Sequence, residues 1–150
     1  MVHFQRAVPQ DADTLILVQN QSFYADYVKY GTCPGYGRTK DSMEESISRH
    51  FVYKILWDDL VVGDIIVKDN GEGHYHLGGI CVVPQWEGRG IGQAAMKFLS
   101  SAFPDARHWT LETPSDKERN HRFYLKSGFH ITKEYHVDGV RISLFEKDVI

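Results

Sequence analysis

The sequence predicts an α/β (α+β) domain with a mixed, mostly antiparallel sheet, a central parallel strand pair and flanking helices. Three observations lead there. β-rich runs separated by short turns fill residues 51 to 83, and such short connections join antiparallel neighbours. An amphipathic helix then separates a strand ending near Val83 from one beginning at His108. That strand–helix–strand passage sets two strands parallel through a right-handed crossover. Finally, 150 residues with 42% hydrophobic and 25% charged side chains can bury one core and are not the composition of a disordered chain.

The elements follow in order. Val2–Val8 reads as a strand stopped by Pro9, and Asp11 or Asp13 offers an N-cap for a helix with Ala12, Leu15, Ile16 and Phe23 near one face. Three glycines and a proline from Gly31 to Gly37 end that helix in a loop. Ser42 with Glu45 three residues on has the form of a capping box, opening a second short helix to about His50. Strands Phe51–Trp57, Val61–Lys68 and Tyr75–Val83 are parted by Asp58-Asp59 and by Asn70-Gly71-Glu72-Gly73.

From Ile91 the apolar residues Ala94, Ala95, Phe98, Leu99 and Ala102 recur at helical spacing. His108–Thr113 is a strand, and Glu118–Ser127 a helix closed by Gly128. Phe129–Val137 and Val140–Lys147 flank Asp138-Gly139 as a type I′ hairpin. The order is βααβββαβαββ. No repeat or low-complexity tract divides the chain, so a single domain over 1–150 is expected.

Charge and composition narrow the partners. Seventeen Lys and Arg stand against twenty Asp and Glu, a net charge of −3, so no nucleic-acid partner is expected. No apolar run approaches the roughly 20 residues of a membrane span, and no membrane association is expected. The first residues lack the apolar core of a secretory leader. Cys33 and Cys81 have no metal-ligand spacing and read as free thiols, which fits a cytoplasmic location.

The segment richest in chemistry is Gly88-Arg89-Gly90-Ile91-Gly92-Gln93, between a strand and a strongly periodic helix. The first amides of a helix lack intrahelical acceptors, and the helix dipole adds partial positive charge there. Glycines let the backbone approach a ligand closely. A diphosphate site is the expected product, with Arg89 able to add a guanidinium contact. Gly90-Ile91-Gly92-Gln93-Ala94-Ala95 also fits the G-x-G-x-x-A pattern of dinucleotide-binding folds, with Glu112 twenty residues beyond Gly92. The antiparallel strands upstream and the short remaining chain oppose that reading.

Gln85-Trp86-Glu87-Gly88-Arg89-Gly90 resembles the Q/R-x-x-G-x-G/A signature of the GNAT superfamily of acyl-CoA-dependent N-acetyltransferases. Phe123-Tyr124-Leu125-Lys126-Ser127-Gly128-Phe129 is similar to its F-Y-x-x-x-G-F segment, and the element order resembles the family fold over nearly the whole chain. The resemblance implies acetyl transfer from acetyl-CoA to a primary amine, small molecule or peptide, by direct attack in a ternary complex without metal. It implies that Cys81, Val82 and Val83 offer main-chain partners to the pantetheine arm, that Gly88–Gln93 hold the diphosphate, and that Tyr124 is the general acid.

The resemblance leaves the base among several candidates. Glu112 resembles the base of some relatives; His74 and His76 share one strand face; a water chain is a third route. Relatives carry a coenzyme-binding asparagine seven residues before the tyrosine, where this chain has Lys117. Asn120 or Lys126 would take over part of that contact, with Lys117 and Arg119 as further candidates. Tyr24 and Tyr27, with His76, are candidates for the acceptor site. A non-catalytic coenzyme A-binding module is the alternative reading, and a small dinucleotide-binding oxidoreductase a more distant one. An exposed strand edge is free to pair in a homodimer.

Overall fold

The computed structural model describes residues 1–149. Seven strands form one sheet: β1 (Val2–Arg6), β2 (Phe51–Trp57), β3 (Leu60–Asp69), β4 (His74–Val82), β5 (His108–Pro114), β6 (His130–Val137) and β7 (Val140–Asp148). Four helices cover it: α1 (Ala12–Tyr30), α2 (Lys40–Arg49), α3 (Ile91–Ala102) and α4 (Glu118–Lys126). The strand order is β1-β2-β3-β4-β5-β7-β6. Among the described residues only the β4–β5 pair is parallel, and the other pairs are antiparallel. This is the mixed sheet that the short turns and the single strand–helix–strand passage predicted, with the parallel pair at its centre. It is not the doubly wound parallel sheet that a dinucleotide-binding oxidoreductase would require.

Strand alternation assigns the faces. Tyr53 of β2 meets Phe98 of α3 edge-on at 4.9 Å, and Phe51 meets Phe103 at 5.1 Å. Val52, between them, packs instead with Leu15 of α1 and Met43 and Ile47 of α2. The helices α1 and α2 therefore cover one face and α3 the other. On α3's side, α4 sets Phe123 against Gly92 of α3, where an added Cβ would stand 3.2 Å from the ring.

The turns behave as their residues dictate. Asp58 and Asp138 take positive φ, as do Gly71, Gly73 and Gly139, aspartate and glycine tolerating the left-handed region, and Glu72 takes it between its two glycines. Gly31 closes α1 at φ 74°. The cap of α2 differs from the expected box. Thr39 is the N-cap and its hydroxyl accepts from the Ser42 amide at 3.1 Å, so the helix starts earlier and Ser42 lies in its first turn. Asp11 occupies the N-cap position of α1 without capping it. Its carboxylate turns back to accept from the Val8 amide at 2.8 Å and pairs with Lys54 at 3.2 Å. Asp13 lies inside the helix, and β1 ends at Arg6, ahead of the expected Val8.

On the α1 face a polar triad is buried that the sequence did not announce. Asp64 of β3 is 2% exposed. Its carboxylate accepts from Gln19 Nε2 at 2.8 Å and from the Cys81 thiol at 3.1 Å, while Gln19 Oε1 is buried without a partner. Beside it, Gly63 lies so close to β4 that a Cβ would collide with the Cys81 carbonyl oxygen. Burial raises the Asp64 pKa from 3.8 to about 6, against the lowering effect of its two donors and Arg38.

The folded state thus holds a proton that the unfolded chain has released, and stability falls as pH rises from about 4 through about 6. Asp64→Asn should flatten that slope, because an amide does not titrate in this range, and its Nδ2 can donate to the Gln19 Oε1 of a flipped amide. Above neutrality the variant should be the more stable by on the order of 2 kcal/mol. Denaturant midpoints measured across this pH range check both statements; a variant with an unchanged slope would remove Asp64 from the account.

Candidate active site

The parallel pair sets the site. β4 and β5 are in register only from His74↔His108 to Leu77↔Leu111. Beyond that the two strands continue without pairing, β4 to Val82 and β5 to Pro114. Gly78 is skipped in the β3–β4 register, Val67 facing Leu77 and Ile66 facing Gly79, and this bulge turns the strand. Gly78 is exposed and Gly79 and Ile80 half-buried although β4 is the middle strand. The β5-facing backbone edge of Gly78–Val82 is therefore open. Val82 lies at its far end, while the Cys81 thiol points away to Asp64; Val83 is not the main-chain partner the sequence suggested, because its amide donates to the Val62 carbonyl at 2.8 Å and its carbonyl accepts from the Trp86 amide at 2.9 Å. Burial and the adjacent carboxylate push that thiol well up, which makes it a poor nucleophile.

The strand delivers the chain through a turn at Pro84–Trp86 to the glycine loop. Gly88 and Gly90 take φ 75° and 77°, with nothing within 4 Å of where a Cβ would stand. Gly90 is the N-cap of α3 and no side chain caps that end. The first amide to find an acceptor is Ala94, donating to the Gly90 carbonyl at 3.1 Å. Among the described residues, the amides of Gly88, Arg89, Gly90, Ile91, Gly92 and Gln93 donate to none of the chain's own acceptors. Six bare amides at a helix N-terminus, on an exposed loop, form a receptor for a diphosphate. Arg89 lies over the Trp86 ring at 4.4 Å, held beside the loop.

Tyr124 projects from α4 and is buried. Its ring stands 5.8 Å from Phe145 of β7 and 5.9 Å from Phe129. Phe145 pairs with Leu111, the last β5 residue joined to β4. The register thus brings Tyr124 to the level where the two strands part. Burial alone lifts its pKa to about 12, with no hydrogen bond contributing.

Glu112 and His76 lie on the opposite face of the sheet. Tyr75 and Trp109 meet Phe103 on the α3 side, so His76, Thr110 and Glu112 point the other way. His76 Nε2 stands 3.8 Å from Glu112 Oε1, and His76 Nδ1 shares a 2.7 Å hydrogen bond with the Thr110 hydroxyl. The Tyr135 hydroxyl donates to Glu112 Oε2. Burial lowers the His76 pKa, against the raising effect of Glu112.

The remaining candidates separate. Asn120 Nδ2 donates to the Thr113 hydroxyl near the end of β5 at 3.2 Å. Lys126 is exposed, three residues from Phe123 and on the same helix face. Lys117 is taken up by Asp26 of α1 at 2.8 Å, and Arg119 by Glu87 at 2.9 Å. Tyr24 and Tyr27 are exposed on α1 and join Tyr36 of the following loop, Tyr27 stacking on it at 4.4 Å. They belong to a cluster separate from His76. Among the described residues no group of His, Cys, Asp and Glu could hold a metal ion. A cleft of about 430 Å³ lies between Lys29 and Tyr30, Ser115 and Asp116, and Gly139–Arg141.

The family model described as Acetyltransferase (GNAT) family matches residues 19–129. The chain belongs to that family. Uncharacterized protein YrkN of Bacillus subtilis (strain 168) is 38% identical over 86 residues, 56% of this chain and 46% of that protein, so the shared segment spans about half the length of that relative. Among solved structures, the PaiA N-acetyltransferase of Thermoplasma acidophilum in complex with coenzyme A is 18% identical with a TM-score of 0.84, covering 99% of both chains. An acetyltransferase from Thermus thermophilus is 15% identical at TM-score 0.81, over 99% of this chain and 97% of that one. Ard1 of Thermoplasma volcanium is 19% identical at 0.79, over 99% and 98%. These likenesses are of fold.

Two histidines should report the electrostatics directly. His108 bonds Asp148 at 2.7 Å and Glu146 at 2.8 Å, which raises its pKa, Asp148 first. In a titration followed by NMR, His108 should release its proton above the ordinary 6.5 and His76 below it. The reverse order would contradict both environments. The His108 contribution to stability is full below the unfolded value and is lost as pH rises through its folded value.

Proposed function

We propose that this GNAT-family chain transfers an acetyl group from acetyl-CoA to a primary amine by direct attack in a ternary complex. The observation that carries the reading is the run of six unpartnered amides, Gly88 to Gln93, at the end of a half-strand whose own edge is open. Acetyl-CoA supplies an activated thioester when bound, and its diphosphate and amide-rich arm match these two features in order. Gly88–Gln93 would hold the diphosphate, and Arg89, Asn120 and Lys126 would border it.

The open edge from Gly78 to Val82 offers main-chain groups to an extended, amide-bearing arm, as an added strand would use them. A backbone N–H on this edge can donate to the negative charge that develops on the carbonyl oxygen. Tyr124 keeps its proton at neutral pH because burial holds its pKa at about 12, so it has one to give to the departing thiolate. On the other face, Glu112 takes the proton that the amine must lose. As the nitrogen–carbon bond forms and the carbon–sulfur bond breaks, one proton is therefore removed on one side of the sheet and one supplied on the other. The tyrosines of α1 and the 430 Å³ cleft beside Tyr30 support an acceptor entering on the face of Glu112.

A panel of amines incubated with acetyl-CoA, with released thiol and product mass both recorded, tests the activity. Coenzyme A binding without turnover on any amine would replace the enzyme by a binding module. With an accepted amine, Tyr124→Phe should lower kcat by about 10- to 100-fold and leave the KM for acetyl-CoA within about twofold. An unchanged kcat takes the acid role from Tyr124. Gly90→Glu places a carboxylate in the nest and should abolish calorimetric binding of coenzyme A while circular dichroism stays native. Normal affinity in that variant would defeat the diphosphate assignment.

A further inference from the structure

The Glu112 carboxylate is held by a residue from a strand that does not touch its own. β5 pairs with β7, and β7 with β6; Tyr135 reaches from β6 across β7 and donates its hydroxyl to Glu112 Oε2. Oε1 is left facing His76 Nε2 at 3.8 Å, and His76 is itself fixed through Nδ1 by Thr110 at 2.7 Å. The chain Thr110–His76–Glu112–Tyr135 thus spans β4, β5 and β6 on one face of the sheet. A separation of 3.8 Å is too long for a direct hydrogen bond, yet one nitrogen can stand roughly 3 Å from both atoms.

We propose that Tyr135 is a positioning residue for proton removal: its hydroxyl ties down Glu112 Oε2 so that Oε1 stays turned toward His76, and Oε1 takes the proton of the attacking amine. This rests on the acetyl-transfer reading. The proton leaves the amine nitrogen as its bond to the acyl carbon forms, rests on Oε1 as a carboxylic acid, and passes to solvent, to which the Glu112 side chain is 42% exposed. Tyr135 cannot compete for it. Burial, then the hydrogen bond to Glu112, raise the phenol to about 12, so it remains a donor. The other charged group acting on His76 is Lys68 of β3, which opposes Glu112.

Tyr135→Phe, Glu112→Gln and the double variant test this with two readouts. The first is the His76 titration by NMR, which needs no substrate. Glu112→Gln should move the midpoint to lower pH, and Tyr135→Phe should move it the same way by a smaller amount, because an untethered carboxylate leaves the imidazole. The second is turnover of an accepted amine. Glu112→Gln should lower kcat by about 100-fold and Tyr135→Phe by about 3- to 10-fold, with the KM for acetyl-CoA unchanged. The double variant should be no slower than Glu112→Gln alone.

An unmoved His76 midpoint in Tyr135→Phe, or independent losses that multiply in the double variant, overturns the proposal. So does a fully active Glu112→Gln. If no amine is acetylated by the wild-type protein, the wider reading fails and takes the proton route with it, while the titration still decides whether Tyr135 holds Glu112.

Discussion

Parallel pairing between β4 and β5 ends after Leu77 and Leu111, and the arrangement of the site depends on that ending. A sheet satisfies its backbone groups by pairing, and groups left open in the middle of one must find another partner. On either side the sheet remains whole, β4 against β3 and β5 against β7. The gap is therefore a stable part of the fold. Its floor carries small residues, Gly78 and Gly79, and its far end leads into the glycine loop. The open edge, the bare amides and the buried phenol lie along one path.

The start of α3 that follows the glycine motif and the Phe123–Phe129 segment are parts of one packing unit. Phe123 lies on Gly92 so closely that even a methyl group there would crowd the ring. The third glycine of the loop is thus needed for the seat of α4 as much as for access to a ligand. The same helix presents Tyr124 one residue later. Holding the loop and placing the phenol are consequently not independent properties of this sequence.

Much of this is legible in the sequence, and for identifiable reasons. The turns announce themselves because few residues tolerate positive φ, so Asp58, Asn70–Gly73 and Asp138-Gly139 set the strand boundaries closely. The α3 periodicity and the glycine loop are equally direct. The cap of α2 is not, because Thr39 and Ser42 have the same chemistry, and only the backbone decides which lies outside the helix. Asp64 is hidden inside a β-branched run, where one acid looks like an outward-facing residue; its partners Gln19 and Cys81 come from other elements. Tyr135 gives no signal for a related reason. Counting from the hairpin turn sets Tyr135 opposite Ile142 and Lys133 opposite Leu144, the β7 partner of Glu112, so Tyr135 reaches the carboxylate only on a diagonal across a whole strand. Periodicity reports a residue's own element, whereas the contacts that tune a carboxylate cross several.

Gly63 has a consequence for how this molecule can change. The Cys81 carbonyl oxygen stands where its first side-chain carbon would be, so substitution there means displacing backbone rather than a flexible side chain. The rear wall of the rift is consequently a fixed hinge-plate against which the front can vary. A side chain at position 63 would have to part β3 from β4 at the point where the Cys81 thiol meets the buried Asp64 carboxylate.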